Sequence, residues 1–553
     1  MGKGIFMDIA SSRFGWHSLR KYFYITSGRV FLFVCIVLAT ILRFYAIDWG
    51  SPFQLHSDEK TIVEGAIDMI RRRSFEPHIF NRPDHFEAQC NALLFNVVSL
   101  LRFGMFADET FADHTMMYYT LGRMFTAFWG VLMVPLGYLI CEKIFRGSGV
   151  YAAFFIAVCP SFVQHSHYVT PDIPITFMFM AGIYFAVCYM KQPSVLNIVW
   201  MSLFTALSIT IKYPGAIFCL MIALVVVVAS LRNRTYFHIL SHGALAVVLI
   251  PVFIFLISPV FFTNFGQVIH YFIYESRSHH LGADGLGFWG NLAFYMRGFT
   301  TQYAWLWYAF AVIGIIQLVR KKRWNALPVG FGIFYIFVIS VLALHWERWA
   351  VPMYISLIFL GAVGVQQTVS LVRRRWFAGK NAGQRAIGIA AFATIAVVGA
   401  NVFLGGVVSS VQLGLKDTRI LSYEYCQQHG INHANTAYDA YTALKPIDGP
   451  FSVAEFFELD DDGSVRLKPE YQDVTYVLIS ENMYSRHLRN PDSFEARVYT
   501  YIQTHYQLLQ EWNPAFKAPS TSFCSVGIIQ KIGSLIASPG QSCGATNQLY
   551  KII

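Results

Sequence analysis

Charge is scarce in this chain. Asp, Glu, Lys and Arg make up 13% of its 553 residues, while 55% are hydrophobic and phenylalanine alone contributes 49. That much apolar surface excludes an ordinary soluble fold. Cysteine is sparse too. Of nine, five (Cys35, Cys141, Cys159, Cys188 and Cys219) lie in or beside apolar runs and read as packing residues. No tandem repeat and no low-complexity tract is present, which removes repeat arrays and long disordered linkers from consideration. The first apolar run carries no small-residue cleavage signal, so it reads as a retained anchor and not a signal peptide. The formal charge of +10 is held in short loops. That distribution points to membrane orientation and away from nucleic acid.

What the chain has in quantity is apolar blocks of roughly 17–25 residues, the length that crosses a bilayer as a helix. They fall at about 30–47, 116–141, 149–167, 173–190, 195–211, 214–231, 238–262, 303–319, 326–344, 350–370 and 386–412. The fold class is therefore an α-helical polytopic membrane protein with about eleven transmembrane helices. An odd number sends the two chain ends to opposite sides. "EKIFRGSG", "LRNRTYFH", "VRKKRWN" and "VRRRWFAGKNAGQR" share the side of the basic N-terminus, residues 1–29. The positive-inside rule makes that side the cytoplasm.

The outer face then carries a first loop over 48–115, the Asp172 turn, the turn at 212–214, the stretch 263–302 and "HWERW". Arg71, Arg72 and Arg73 run against the charge rule on that face. The stretch 90–106 is short for a span and is expected as an interfacial helix. With the membrane domain over 30–412, residues 413–553 remain, and their character changes. Acids appear in "ELDDDG", a strand pattern in "VTYVLIS" and a helical one in "PDSFEARVYTYIQTHY". This predicts a small soluble α/β domain outside the membrane. Cys426, Cys524 and Cys543, with Cys90 of the first loop, face a side that is oxidising in most cells, which permits a disulfide of unreadable pairing.

Candidate site residues gather at the outer ends of the spans. In "HSDEKTIVEGA", Ser57 is expected to cap an amphipathic helix over 58–72 with Asp58 and Glu59 in its first turn. First-turn acids complement the helix dipole. The same dipole favours the ionised carboxylate, which is what a general base must be. "VQHSHYVTPDIPITF" sets Asp172 at a helix start beside His165 and His167, and titratable groups crowding span ends line cavities. His-x-His next to an acid is a weak metal pattern; the cofactor requirement stays open, a divalent metal included. Lys212 and Tyr213 make a turn where a lysine either snorkels or serves a site. Glu347 and Arg348 stand between Trp346 and Trp349, as an aromatic belt with a local ion pair or as an arginine for phosphate. "YESRSHHLGADGLGFWGN" offers His279, His280 and Asp284 in a plain loop or a lid. Together these residues describe an outer-face cavity for a substrate that carries phosphate and needs a base.

The ordered motifs resemble the membrane-embedded GT-C glycosyltransferases, in the branch of the protein O-mannosyltransferases and the lipid A aminoarabinose transferase. "HSDEKTIVEGA" is similar to the family's Asp-Glu motif, "EPHIFNRPDHFEAQCNALLFNVVSLL" to the stretch after it, and "YTLGRMFTAFWGVLMVPLGYLI" to the arginine-bearing second span, with Arg123 at its arginine. "PSFVQHSHYVTPDIPITFMF", "ALSITIKYPGAI" and "ERWAVPMYISLIFLGAVG" resemble the second acidic motif, the lysine turn and the arginine-proline span. One departure is Glu87-Ala88-Gln89, where some members carry a lysine. The resemblance covers roughly 50–370. It implies a polyprenyl-phosphate sugar donor and a lipid, glycan or protein acceptor on the outer, periplasmic face of a bacterial inner membrane. It also implies Asp58 as general base with inversion, Glu59 as its orienting partner, Asp172 shaping the site, and Lys212, Arg348 and Arg123 on the donor phosphate. The rival class is a polytopic transporter or a lipid or glycan flippase, which usually places ionisable groups near mid-membrane.

Overall fold

The computed structural model describes residues 13–77, 85–275, 285–376, 382–444, 449–460, 463–514, 527–537 and 542–552. Apolar runs fold here as helices because hydrocarbon offers no partner to an open backbone amide. Helix α1 is Arg13–Phe44, followed by α2 (Glu59–Arg71), α3 (His85–Phe103), the single turn α4 (Ala107–Thr110) and α5 (Thr115–Ile144). Asp58, not Ser57, is the N-cap residue of α2, and the helix begins one residue later than expected. Ile62, Val63, Ala66, Ile67 and Ile70 are buried on one face of α2 and pack with Phe95 of α3 and Tyr118 and Tyr119 of α5.

The bundle continues with α6 (Gly149–Ala157), α7 (Pro160–His165), α8 (Asp172–Lys191), α9 (Val195–Ile211), α10 (Phe218–Asn233), α11 (Phe237–Ile257), α12 (Val260–Thr263) and α13 (Phe265–Glu275). Then come α14 (Gly287–Tyr303), α15 (Leu306–Arg320), α16 (Phe331–Ile339), α17 (Val351–Leu371) and α18 (Ala382–Val411). Among the described residues, seven helices are long and apolar enough to cross a membrane, or eight if a bent pair counts as one span. The protein is a multi-pass membrane protein. Helix α3, which contains most of the stretch 90–106, is not among those seven.

The other expected spans are modified, each for a local reason. The expected 149–167 helix breaks between α6 and α7. Proline at 160 cannot supply an amide, and the freed carbonyls of Ile156 and Ala157 accept from the buried Arg43 guanidinium at 2.9 and 2.7 Å. The 195–211 helix forms as α9 but stays short of a full span. The 303–319 helix is α15, and it meets α14 at 101° across Ala304, whose φ of 60° breaks the helical path. The 326–344 run is a 3-10 turn holding Pro328, then only nine residues of α16. Asn291 of α14 collects the Ser340 and Leu342 carbonyls that the ended helix leaves open, at 3.2 and 2.8 Å. Helices α15 and α17 touch backbone to backbone, because a Cβ at Gly314 or Gly364 would overlap the Leu360 or Phe310 carbonyl.

Beyond α18 lies the α/β portion. Its short β1 (Lys416–Asp417) precedes α19 (Thr418–Gln428) and β2 (Thr436–Tyr438), and the hairpin β3 (Phe457–Leu459) with β4 (Val465–Leu467) follows. Next come β5 (Tyr476–Ser480), α20 (Glu481–His487), α21 (Phe494–His505), β6 (Gln507–Trp512), α22 (Ile528–Ala537), β7 (Ser542–Cys543) and β8 (Asn547–Lys551). The main sheet runs β2-β5-β8-β6, parallel between β2 and β5 and antiparallel elsewhere. Asp439, just after the edge strand β2, is fully buried. It accepts from the Val453 and Ser480 amides, both at 2.9 Å, and from the Tyr499 hydroxyl at 2.7 Å. Among the described residues, Cys90, Cys426 and Cys543 form no disulfide with one another; Cys524 lies outside the described residues.

Candidate active site

The site forms where the head of α2, the α7–α8 turn, the end of α9 and the head of α17 meet. Asp58 ends the loop before α2, and its Oδ2 pairs with Nη1 of Arg348 in the 3-10 turn Glu347–Ala350. Both side chains are about a fifth to a quarter exposed (19% and 25%). A second acid–cation pair lies beside the first. Lys212, at the C-cap of α9, donates from Nζ to Asp172 Oδ1 at 2.7 Å. Asp172 opens α8 and is buried, its Oδ2 without a hydrogen-bond partner among the described residues. Arg348 also bears electrostatically on Asp172, and His165 feels Asp172, Arg348, His56 and Lys212 together. The two pairs therefore form one cluster.

Glu59 and Arg123 stand behind this cluster. Glu59 is fully buried and takes a bidentate grip from Arg123, Nε to Oε1 at 2.8 Å and Nη2 to Oε2 at 2.7 Å. Its Oε1 also accepts the Val169 amide at 3.0 Å. The third nitrogen of Arg123 donates to the Trp49 carbonyl at 2.7 Å, and the guanidinium lies over the Trp49 ring at 4.7 Å. Arg123 was expected on the donor phosphate and Glu59 beside the base. The structure joins the two in a buried strut that binds α5 to the head of α2 and to the α7–α8 turn. His167 is buried as well, its two ring nitrogens 2.8 Å from the Val163 carbonyl and 2.9 Å from that of Tyr45. It holds backbone on both sides of its ring. Tyr213 packs edge-on against Phe261 and Phe272. His279 and His280 lie outside the described residues.

His56 was not singled out from the sequence, although it stands two residues before Asp58. Its Nδ1 accepts the Asp58 amide at 3.3 Å, and its ring stacks on Tyr168 with centroids 4.4 Å apart. Burial pushes its imidazole below the ordinary value; Glu59 and Asp58 oppose the fall, while Arg348 and Arg123 add to it. A neutral His56 is therefore the expected form near neutral pH. Gln302 was also missed. Its side chain bridges Ser161 Oγ at 2.5 Å and Glu347 Oε1 at 3.2 Å, tying α14 to the turn that carries Arg348. Among the described residues no three His, Cys, Asp or Glu side chains converge on a metal-sized site.

Comparison with known proteins adds the family context. The family model described as dolichyl-phosphate-mannose-protein mannosyltransferase matches residues 105–269. The oligosaccharyltransferase of Archaeoglobus fulgidus in its apo form is similar in structure, with a TM-score of 0.51 at 12% identity, over 89% of this chain and 74% of that one. This is the GT-C fold. ArnT of Cupriavidus metallidurans bound to undecaprenyl phosphate aligns at a TM-score of 0.45 and 17% identity, over 72% of each chain. The Pmt1–Pmt2 complex of S. cerevisiae bound to its sugar donor aligns at 0.33 and 16% identity, over 47% of this chain and 35% of that one. No curated protein sequence matches the chain.

Proposed function

We propose that this GT-C chain is a polyprenyl-phosphate-dependent glycosyltransferase acting on the outer face of the membrane. The observation that carries the reading is the pair of pairs: two carboxylates, each met by one cation, at helix ends on one side of the bundle. The match to the mannosyltransferase family model supports the donor class. In this reading the Asp58 carboxylate takes the proton from an acceptor hydroxyl. That oxygen attacks the anomeric carbon from the face opposite the phosphate, and the bond from carbon to phosphate oxygen breaks. A single displacement inverts the anomeric centre. Charge builds on the departing polyprenyl phosphate, where Arg348 and Lys212 neutralise it. Asp172 holds Lys212 ready, and the Glu59–Arg123 strut fixes the helix head from which Asp58 projects.

The pairing of Asp58 with Arg348 adds an order to the reaction. While Arg348 holds Asp58, the carboxylate is a poor base. An incoming donor phosphodiester offers Arg348 two oxygens at once, and a second negative charge as the sugar departs, and so frees Asp58 for the acceptor. The test is purified full-length protein with a polyprenyl-phosphate sugar and hydroxyl acceptors. Asp58→Asn is expected to cut turnover by about 10²–10⁴-fold while polyprenyl phosphate still binds. Near-normal turnover by that variant would remove Asp58 from the chemistry.

A further inference from the structure

The site has two arms, and the α/β domain touches both. One arm is Leu55–Asp58 at the head of α2. The other is Trp346–Arg348 at the head of α17. On the first, Arg419 in the opening turn of α19 clasps Asp417 with Nε and Nη2 at 2.8 and 2.7 Å. Its Nη1 reaches across 364 residues of sequence to the Leu55 carbonyl at 2.7 Å. Leu55 precedes His56, which holds the Asp58 amide. Tyr423, on the same helix, packs edge-on against Phe53 with centroids 4.9 Å apart. On the second arm, Arg486 of α20 lies over the indole of Trp346 at 5.4 Å and over the Tyr441 ring at 5.1 Å. Trp346 directly precedes Glu347 and Arg348.

A third cation reaches the second arm from behind. Lys531 of α22 donates to the backbone and side-chain oxygens of Asn401 on α18, at 3.0 and 2.7 Å. Asn401 in turn donates to the Gln302 carbonyl at 3.2 Å, and the Gln302 amide meets Glu347. The Lys531 side chain is buried in this contact. Simple adhesion between a domain and a bundle is served at lower cost by apolar surface, because a buried cation such as Lys531 gives up its hydration. Cations aimed at backbone carbonyls and ring faces do something adhesion does not: they fix position and direction.

We propose that the α/β domain is a clamp on the site, with Arg419 as the positioning residue of the Asp58 arm and Arg486 as that of the Arg348 arm. The proposal rests on the reading of Asp58 as base and Arg348 as phosphate ligand. Each anchor touches the backbone or ring just before its functional residue and leaves the reacting atoms alone. Small displacements of such arms are costly, since a misplacement of about 1 Å can lower a rate about 10²-fold.

The test uses full-length protein in lipid nanodiscs, with Arg419→Met, Arg486→Leu and Arg486→Lys. Hydrogen exchange is followed in the peptides around Leu55 and Trp346. Initial rates are followed with a polyprenyl-phosphate sugar varied at fixed acceptor. Arg419→Met is expected to speed exchange around Leu55 alone and to lower kcat about tenfold or more, with donor KM nearly unchanged. Arg486→Leu is expected to speed exchange around Trp346 alone and to raise donor KM, and Arg486→Lys, which keeps a cation over the indole, restores both. Unchanged exchange in both segments overturns the clamp. So does a uniform loss, in which either variant loosens both segments and depresses every constant together. If the wild type transfers no sugar at all, the functional reading fails, while the exchange measurements still decide the clamp.

Discussion

Two arginines expected to share one task stand in opposite surroundings. Arg348 is partly exposed and faces Asp58, a carboxylate that the proposed mechanism exchanges for a phosphate. Arg123 is fully buried and holds Glu59 through both carboxylate oxygens. Replacing either by lysine keeps the charge and removes the planar fork. The outcomes are expected to differ in kind. Arg348→Lys folds and raises donor KM about tenfold, roughly 1.4 kcal/mol, with acceptor KM much less affected. Arg123→Lys leaves part of Glu59 unmet where water cannot reach, and breaking a buried pair costs about 3–5 kcal/mol, so yield and monodispersity fall. Size-exclusion profiles and donor-varied kinetics of the two variants separate the roles. A folded, monodisperse Arg123→Lys with a raised donor KM would return Arg123 to the phosphate. The residue types of this cluster were visible in the sequence; their partners were not. Asp58 and Arg348 stand 290 positions apart, and no local pattern foretells such a contact. His56 was passed over because a lone histidine beside an acid has no spacing that marks it.

At the scale of elements, length and hydropathy located the helices but not their breaks. The runs at 149–167 and 326–344 look like spans because apolar content, the quantity read, is insensitive to where a carbonyl finds its donor. Arg43 and Asn291, which end those helices, lie far away in sequence. Proline at 160 and at 328 was the available local signal. In the α/β domain, the strand pattern of 476–480 and the helix over 494–505 were legible from period alone. The carboxylate that binds them together was not. Burial raises Asp439 from its ordinary 3.8 to about 6, although three hydrogen bonds pull the other way. The sign follows from proton uptake. Between those two values the folded chain holds a proton that the unfolded chain has lost, so stability from this group is fullest below 3.8 and is lost as pH rises through about 6. The loss is about 3 kcal/mol over that window. Thermal unfolding of the purified chain from pH 4 to 7, as a difference between wild type and Asp439→Asn, is expected to show that slope. A pH-independent difference would mean that the carboxylate is already ionised at the acid end.

On the scale of the whole molecule, the partition of charge between the two ends of the bundle is the basis for placing the proposed chemistry on the outer face. Asp58 follows α1, Asp172 opens α8, Lys212 closes α9 and Arg348 precedes α17. These are alternate helix ends, and the contacts among the four residues put them on one side. Arg146 follows α5, Arg232 lies in the last turn of α10 and Arg234 just after it, Lys321 to Arg323 follow α15, and Arg373 and Arg374 follow α17. Those basic residues stand at the opposite helix ends. In the proposed orientation, which follows the positive-inside rule, they are cytoplasmic, and the Asp58 cluster faces outward along with the α/β domain whose Arg419 reaches it. The expected outcome is that a membrane-impermeant thiol reagent labels a cysteine introduced at Ile553 in intact spheroplasts and fails to label one at Gly2 until the membrane is opened. The reverse pattern would put Asp58 in the cytoplasm, where nucleotide sugars are at hand, and would remove the reason for a lipid-linked donor. Labelling at both positions in intact spheroplasts would mean an even number of crossings. The short α9 and the broken α6–α7 and α16 segments would then be the first places to look for a helix that enters the membrane without crossing it.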